Sequence, residues 1–240
     1  MPLLHRAKRA LTTALIATAC IAACVTAIVY APTAAYAEHA ESKTASKALV
    51  IAARAGNADL VRFSLAEGAT PNATDPATGE TALMLATRAD SQPSIDALIA
   101  AGANLNLVDN VNGFSALMHA CLASKRQTIY SLLEAGSDTN VSGLQRGLTA
   151  LMLCASRRGG YATVADLIGA GARVNQRALD GWTAAMAAAE RNRTRVLRLL
   201  LANRASVSAV TDDGRSALAV AVDRGYGESA TRARWPDVRH

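Results

Sequence analysis

The sequence predicts an all-α solenoid of stacked helix–turn–helix units with short turn tips, and three observations carry that expectation. A pattern recurs in phase: Gly79, Gly113, Gly147, Gly181 and Gly214 are separated by 34, 34, 34 and 33 residues, and each is followed two places later by Thr81, Ser115, Thr149, Thr183 or Ser216. A fixed period of roughly 20 to 50 residues is the mark of a repeat architecture. Apolar pairs at helical spacing then recur once per period. Composition agrees, because 51% of the 240 residues are hydrophobic but only 4% aromatic, and an apolar mass carried by Ala and Leu favours helices over sandwiches, barrels or disorder.

Residues 1–37 read as a targeting segment. A basic stretch from His5 to Arg9 precedes an apolar run from Ala10 to Tyr30, and Ala35-Tyr36-Ala37 fits the small-residue pattern of signal-peptidase cleavage, which leaves Glu38 first. Two alternatives stand beside cleavage. The run reaches the about 20 residues that span a bilayer as an uncleaved anchor, and Ile21-Ala22-Ala23-Cys24 resembles a lipoprotein box. All three put the bulk of the chain outside the cytoplasm, in the periplasm or beyond, with any membrane contact confined to this segment. The net charge of +6 falls to +3 once the leader's Arg6, Lys8 and Arg9 are set aside. A polar lead is expected over 38–45, the repeat region over 46–227 and a basic tail over 228–240.

Each unit is expected to begin at its hydroxyl, which caps the run that follows it: Thr81-Ala-Leu-Met-Leu-Ala86, Ser115-Ala-Leu-Met-His-Ala120, Thr149-Ala-Leu-Met-Leu-Cys154, Thr183-Ala-Ala-Met-Ala-Ala188 and Ser216-Ala-Leu-Ala-Val-Ala221. The pairs Val61/Leu65, Ile95/Ile99, Ile129/Leu133, Val164/Ile168 and Leu197/Leu201 mark a second short helix per unit. Gly68, Gly102, Gly136 and Gly171 end those second helices, and Asn72, Asn106, Asn140 and Asn175 follow four places later as turn residues. Arg204 replaces the loop glycine in the fifth unit. A left-handed arginine there costs about 1 kcal/mol. The first unit lacks the Gly-x-Thr turn and the last lacks a second apolar stripe, so both read as atypical ends, the last of them frayed or unusually capped.

These residues together resemble the ankyrin-repeat family, whose unit of about 33 residues carries a T-P-L-H-x-A motif and a terminal G-A-x-x-N. The likeness runs from about Ser46 to about Gly227, with Ala in place of the motif's proline and Met84, Met118, Met152 and Met186 in place of its histidine. The resemblance implies a non-catalytic module that holds a protein partner on its turn tips and on the concave face lined by the first helices. The tip positions read Glu80, Phe114, Leu148, Trp182 and Arg215, and a solvent-facing row of Phe, Leu and Trp is an interaction strip. The competing arrangement folds each large side chain back onto its own turn or its neighbour. Arg157, Arg191 and Arg224 fall at one equivalent position near the first-helix ends and form the polar flank. Charge sums of −3 over 38–146, +2 over 147–180 and +4 over 181–240 orient an acidic part of the partner toward the carboxy-terminal units.

No nucleic acid is expected, since export removes the chain from it and no Arg and aromatic interleaving marks a strand-binding groove, and a monomer without a cofactor is expected. An alternative function is soft-metal or redox chemistry using His119, Cys121, Cys154 and the methionine row. Against it, these residues fall in core slots without ligand spacing, and stacked helices set Cys121 and Cys154 too far apart for a bridge, so two free buried thiols are expected. No metal site is therefore expected. The mature region holds only His39, His119 and His240, and no nucleophile has a base at a recognisable spacing, so no enzyme is expected. Asn72, Asn140 and Asn192 each open an N-x-Ser/Thr sequon.

Overall fold

The computed structural model describes residues 42–226, so the expected leader, the first part of the polar lead and the basic tail lie outside the described residues. Helices follow one another in pairs: α1 (42–54) and α2 (Ala58–Ala66), α3 (Ala82–Arg88) and α4 (Gln92–Ala100), α5 (Ala116–Ala123) and α6 (Arg126–Glu134). The series continues with α7 (Ala150–Ser156) and α8 (Tyr161–Gly169), α9 (Ala184–Glu190) and α10 (Thr194–Ala202), and ends at α11 (Ala217–Asp223). The first helices stack in order, α3 on α5, α5 on α7, α7 on α9 and α9 on α11, while α2, α4, α6, α8 and α10 form a parallel outer layer. The fold is the all-α repeat solenoid that the period predicts. Among the described residues no helix is long and apolar enough to cross a membrane.

The helices start where the hydroxyls say. Thr81, Ser115, Thr149, Thr183 and Ser216 each accept the backbone N–H three residues on, at 3.2–3.4 Å. Where the family motif has histidine, Met84 Sδ accepts the Thr81 N–H at 3.4 Å and closes a reciprocal cap. All four in-phase methionines are buried core residues. In the second helices the fully buried partner sits three residues after the first apolar position, as in Ile95 with Leu98, Ile129 with Leu132, Val164 with Leu167 and Leu197 with Leu200. The predicted partners four residues on, such as Ile99 and Leu133, are half-buried at the rim of the core.

The asparagines do more than turn the chain. Asn72 Oδ1 accepts the N–H of Asn104, Asn106 that of Asp138, Asn140 that of Arg173 and Asn175 that of Ser206, at 2.7–2.9 Å. Each therefore ties its own unit to the next, and Asn140 and Asn175 also donate forward, to the carbonyls of Gly171 and Arg204. A second ladder joins the tips, where the N–H groups of Asn110, Leu179 and Asp212 donate to the carbonyls of Thr78, Arg146 and Asp180. At the tip of the third unit a Cβ on Gly113, whose φ is +70°, would lie 2.1 Å from the backbone nitrogen of Leu144, so only glycine lets adjacent tips nest.

Arg204 adopts φ 63° at the end of α10. Arg204→Gly is accordingly expected to raise stability by about 1 kcal/mol, seen as a higher melting temperature. Ser137 fills the slot that Ala69, Ala103, Ala172 and Ala205 fill elsewhere, and its buried hydroxyl has no hydrogen-bond partner among the described residues. Ser137→Ala removes that hydroxyl, and stability is expected to rise by about 1 kcal/mol. An unchanged or lower denaturation midpoint would refute that reading.

Cys121 and Cys154 are disulfide-bonded across α5 and α7, with Cα atoms 4.8 Å apart. The expectation of two free thiols is thus overturned. Helix axes about 9 Å apart carry Cα atoms on cylinders of radius about 2.3 Å, so facing Cα atoms come within about 4–5 Å. Ala116, Ala120, Ala150 and Ala155, all buried in these two helices, permit that close approach.

Candidate functional site

The tip residues singled out in the sequence do not form one exposed strip. Glu80 is buried, accepting Arg88 Nη1 at 2.6 Å and the Thr78 hydroxyl at 3.1 Å, so it is an internal brace of its turn. Phe114 is half-buried against the core and meets the His119 ring edge-on, with centroids 6.0 Å apart. Leu148 and Trp182 also fold back and pack partly against the core. The cause is the turn itself: Asp75, Gly143 and Ala178 donate their N–H to the carbonyls of Glu80, Leu148 and Trp182, and Asp109 does the same to Phe114. These four closed turns direct the residue after the glycine inward, whereas the fifth, closed by the Thr211 N–H on the Arg215 carbonyl, leaves Arg215 exposed. Exposure passes to residues two or three positions before that glycine, and Val111, Leu144 and Leu179 are 49%, 65% and 70% exposed. No periodic signal in the sequence marks them, because these tips are turns in which three consecutive residues, 110–112 and 144–146, face solvent.

The turn of the third unit is built around one carboxylate. Asp109, 1% exposed, accepts the N–H groups of Val111, Asn112, Gly113 and Phe114 at 2.6–3.2 Å, and its Oδ2 lies 2.8 Å from His119 Nε2. Burial works to raise its pKa, but the Asn112 N–H, His119 and the Val111 N–H together outweigh burial and hold the carboxyl below its ordinary value of 3.8. His119 is therefore a strut for the turn.

Leu148, Trp182, Arg191, Arg215 and Arg224 do come together, lining one groove of about 590 Å³ over units four to six. Its apolar floor is Leu148, Met152, Leu153, Trp182 and Ala187, supplied by α7, α9 and the turns before them. Charges of both signs stand around it. Arg146 pairs with Asp180 at 3.2 Å, and Arg215 with Asp213 at 2.7 Å and Asp223 at 3.9 Å. Arg224 pairs with Glu190, which also neighbours Arg191. The Thr211 hydroxyl and then Arg215 hold the Asp213 carboxyl below the usual carboxylate range. Arg157 stands outside this groove, in a separate depression that shares only Ser156 and Arg191 with it.

The bridge between Cys121 and Cys154 leaves neither sulfur as a thiolate, which removes two of the ligands that the soft-metal alternative named beside His119 and the methionines. Among the described residues no group of three His, Cys, Asp or Glu side chains is placed to hold a metal ion.

The family described as ankyrin repeats (3 copies) matches residues 49–143 and 151–231 of the chain. No curated protein matches it significantly.

Proposed function

The chain belongs to the ankyrin-repeat family, and we propose that it is an exported, non-catalytic module that grips a protein partner in the groove floored by Leu148 and Trp182. Ankyrin repeats are generally protein–protein interaction modules, and the family is typically non-enzymatic. The observation that carries the reading is the groove, because an apolar floor within a rim of both charges is the anatomy of an interaction surface. The exposed tip residues Val111, Leu144 and Leu179 add apolar contact area along the stack. Rim charges of both signs select the partner's orientation more than they add affinity.

Export draws support from two independent features, the leader with its Ala35-Tyr36-Ala37 site and the disulfide between Cys121 and Cys154. Disulfides persist in oxidising compartments and are rare in the cytosol. Partner pull-down tests the groove. Leu148→Ser with Trp182→Ala is expected to abolish capture, while Leu60→Ser with Phe63→Ser, two exposed residues of the outer helix α2, leaves it intact. Because Leu148 and Trp182 also support the core, Arg146→Glu on the exposed rim is the companion variant, expected to weaken capture with no loss of helical signal. Capture equally affected by the α2 variant, or indifferent to all groove variants, would overturn the assignment.

A further inference from the structure

Among the described residues the helix-to-helix loop of the fourth unit is the longest of its kind, four residues (157–160) against 89–91, 124–125 and 191–193 in its neighbours. It reads Arg157-Arg158-Gly159-Gly160, and it folds back so tightly that a Cβ on Gly160 would lie 2.4 Å from the Cys154 carbonyl oxygen. That turn brings Arg157 and Arg158 beside Arg191 and Arg193 of the next unit. With Ser124 and Ser156, the four arginines line a depression of about 360 Å³ that has no acidic residue in its wall.

Two of the four have partners. Arg193 donates from Nε to the Ser156 carbonyl at 3.1 Å, which neutralises the negative end of α7, and Arg191 lies 3.6 Å from Glu190. Glu190 is shared with Arg224, and among the described residues Arg157 and Arg158 form no ion pair. The crowding is visible in Arg193, whose pKa is pushed down by burial and then by the charges of Arg158 and Arg191. Satisfying one helix end calls for one cation, so the remaining positive charge has no internal purpose in the stack.

We propose that this depression is an oxyanion site that takes a phosphate monoester or diphosphate group. Guanidinium forks match phosphate oxygens in pairs. A phosphate ester carries a charge of about −1.5 to −2 and three acceptor oxygens, where a carboxylate offers a single charge. Ser124 adds a hydroxyl at the wall. The site lies at the loop ends of the first helices, away from the turn tips, and it does not depend on the protein-partner reading.

Isothermal titration of the whole protein with inorganic pyrophosphate, at ionic strength held constant with chloride, tests it. The expected result is saturable binding at one site, weakened at least about tenfold by Arg157→Gln with Arg158→Gln, and unchanged within about twofold by Arg126→Gln with Arg173→Gln, which removes the same charge elsewhere. Arg157→Lys keeps the charge but loses the fork, and a several-fold loss in that variant supports the site even if the double variant does not fold. Vesicles containing phosphatidic acid distinguish the source: binding of both probes assigns a lipid headgroup, and binding of pyrophosphate alone assigns a soluble ester. Equal losses in both double variants, titration without saturation, or hexa-aspartate peptide binding more tightly than pyrophosphate would overturn the proposal.

Discussion

Replacing Cys121 and Cys154 together by alanine is expected to lower the melting temperature by on the order of 10 °C. The bridge closes a loop of 33 residues and spans units three and four. Loop-closure entropy for that length corresponds to about 3–4 kcal/mol, and a domain of this size loses about 2–4 °C per kcal/mol. The alanine pair also removes two buried sulfur atoms from the interface between α5 and α7, so the entropic figure is not the whole loss. Both cysteines are at most 2% exposed, so a reductant reaches the bond only when the stack opens locally. Reduction by dithiothreitol should therefore be slow in buffer and fast in mild denaturant. Thiol trapping in cells checks the same bond: Cys121 and Cys154 should resist maleimide until the protein is both reduced and unfolded. A melting temperature that is the same with and without the bridge would contradict this account of the interface.

Asp109→Ala is expected to cost about 2–4 kcal/mol, because it strips the acceptor from four backbone N–H groups and from His119 in a turn where the carboxylate is 1% exposed. Asp109→Asn keeps one acceptor oxygen and should lose about half as much. The same contacts give a pH dependence of known sign. The folded carboxyl is held below its ordinary value of 3.8, so the folded state binds fewer protons there than the unfolded chain does. That contribution is present in full well above pH 3.8 and is lost as the pH falls below it, through the lower folded value. Acid titration followed by circular dichroism checks it. The wild type should show a steeper loss of stability below about pH 4 than Asp109→Asn, and superimposable acid transitions would show that the carboxylate does not organise the turn.

What could be read from the sequence was what depends on neighbours along the chain. The Gly-x-Thr or Ser pattern placed five helix starts, because a capping hydroxyl and a left-handed glycine act within three or four residues. Arg204 was legible for the same reason. Features that join one unit to the next were not. The asparagine period was plain, but it does not say that Asn140 reaches Arg173 in the following unit. The disulfide was misjudged because spacing between helix axes was used where spacing between facing Cα atoms decides.

The binding surface was legible in part. Leu148, Trp182, Arg191, Arg215 and Arg224 share a groove because repeat position maps onto solenoid position, but Glu80 is taken up by Arg88 and Thr78 within its own turn and Phe114 by the His119 ring. Arg157 was separated from that row by the longer fourth loop. The signal was present in the 35-residue interval from Gly136 to Gly171, one more than the period, which a shorter following tip then restores.

Site-specific photocrosslinking in the native cells tests the central claim most directly, with the photoreactive residue placed in turn at Arg146, Arg215, Leu60 and Phe63. The expected result is one common covalent product from the two groove positions, found outside the cytoplasm and absent from the two positions on α2. Products from Leu60 or Phe63 but none from Arg146 and Arg215, or an unbridged full-length chain in the cytosol, would contradict it.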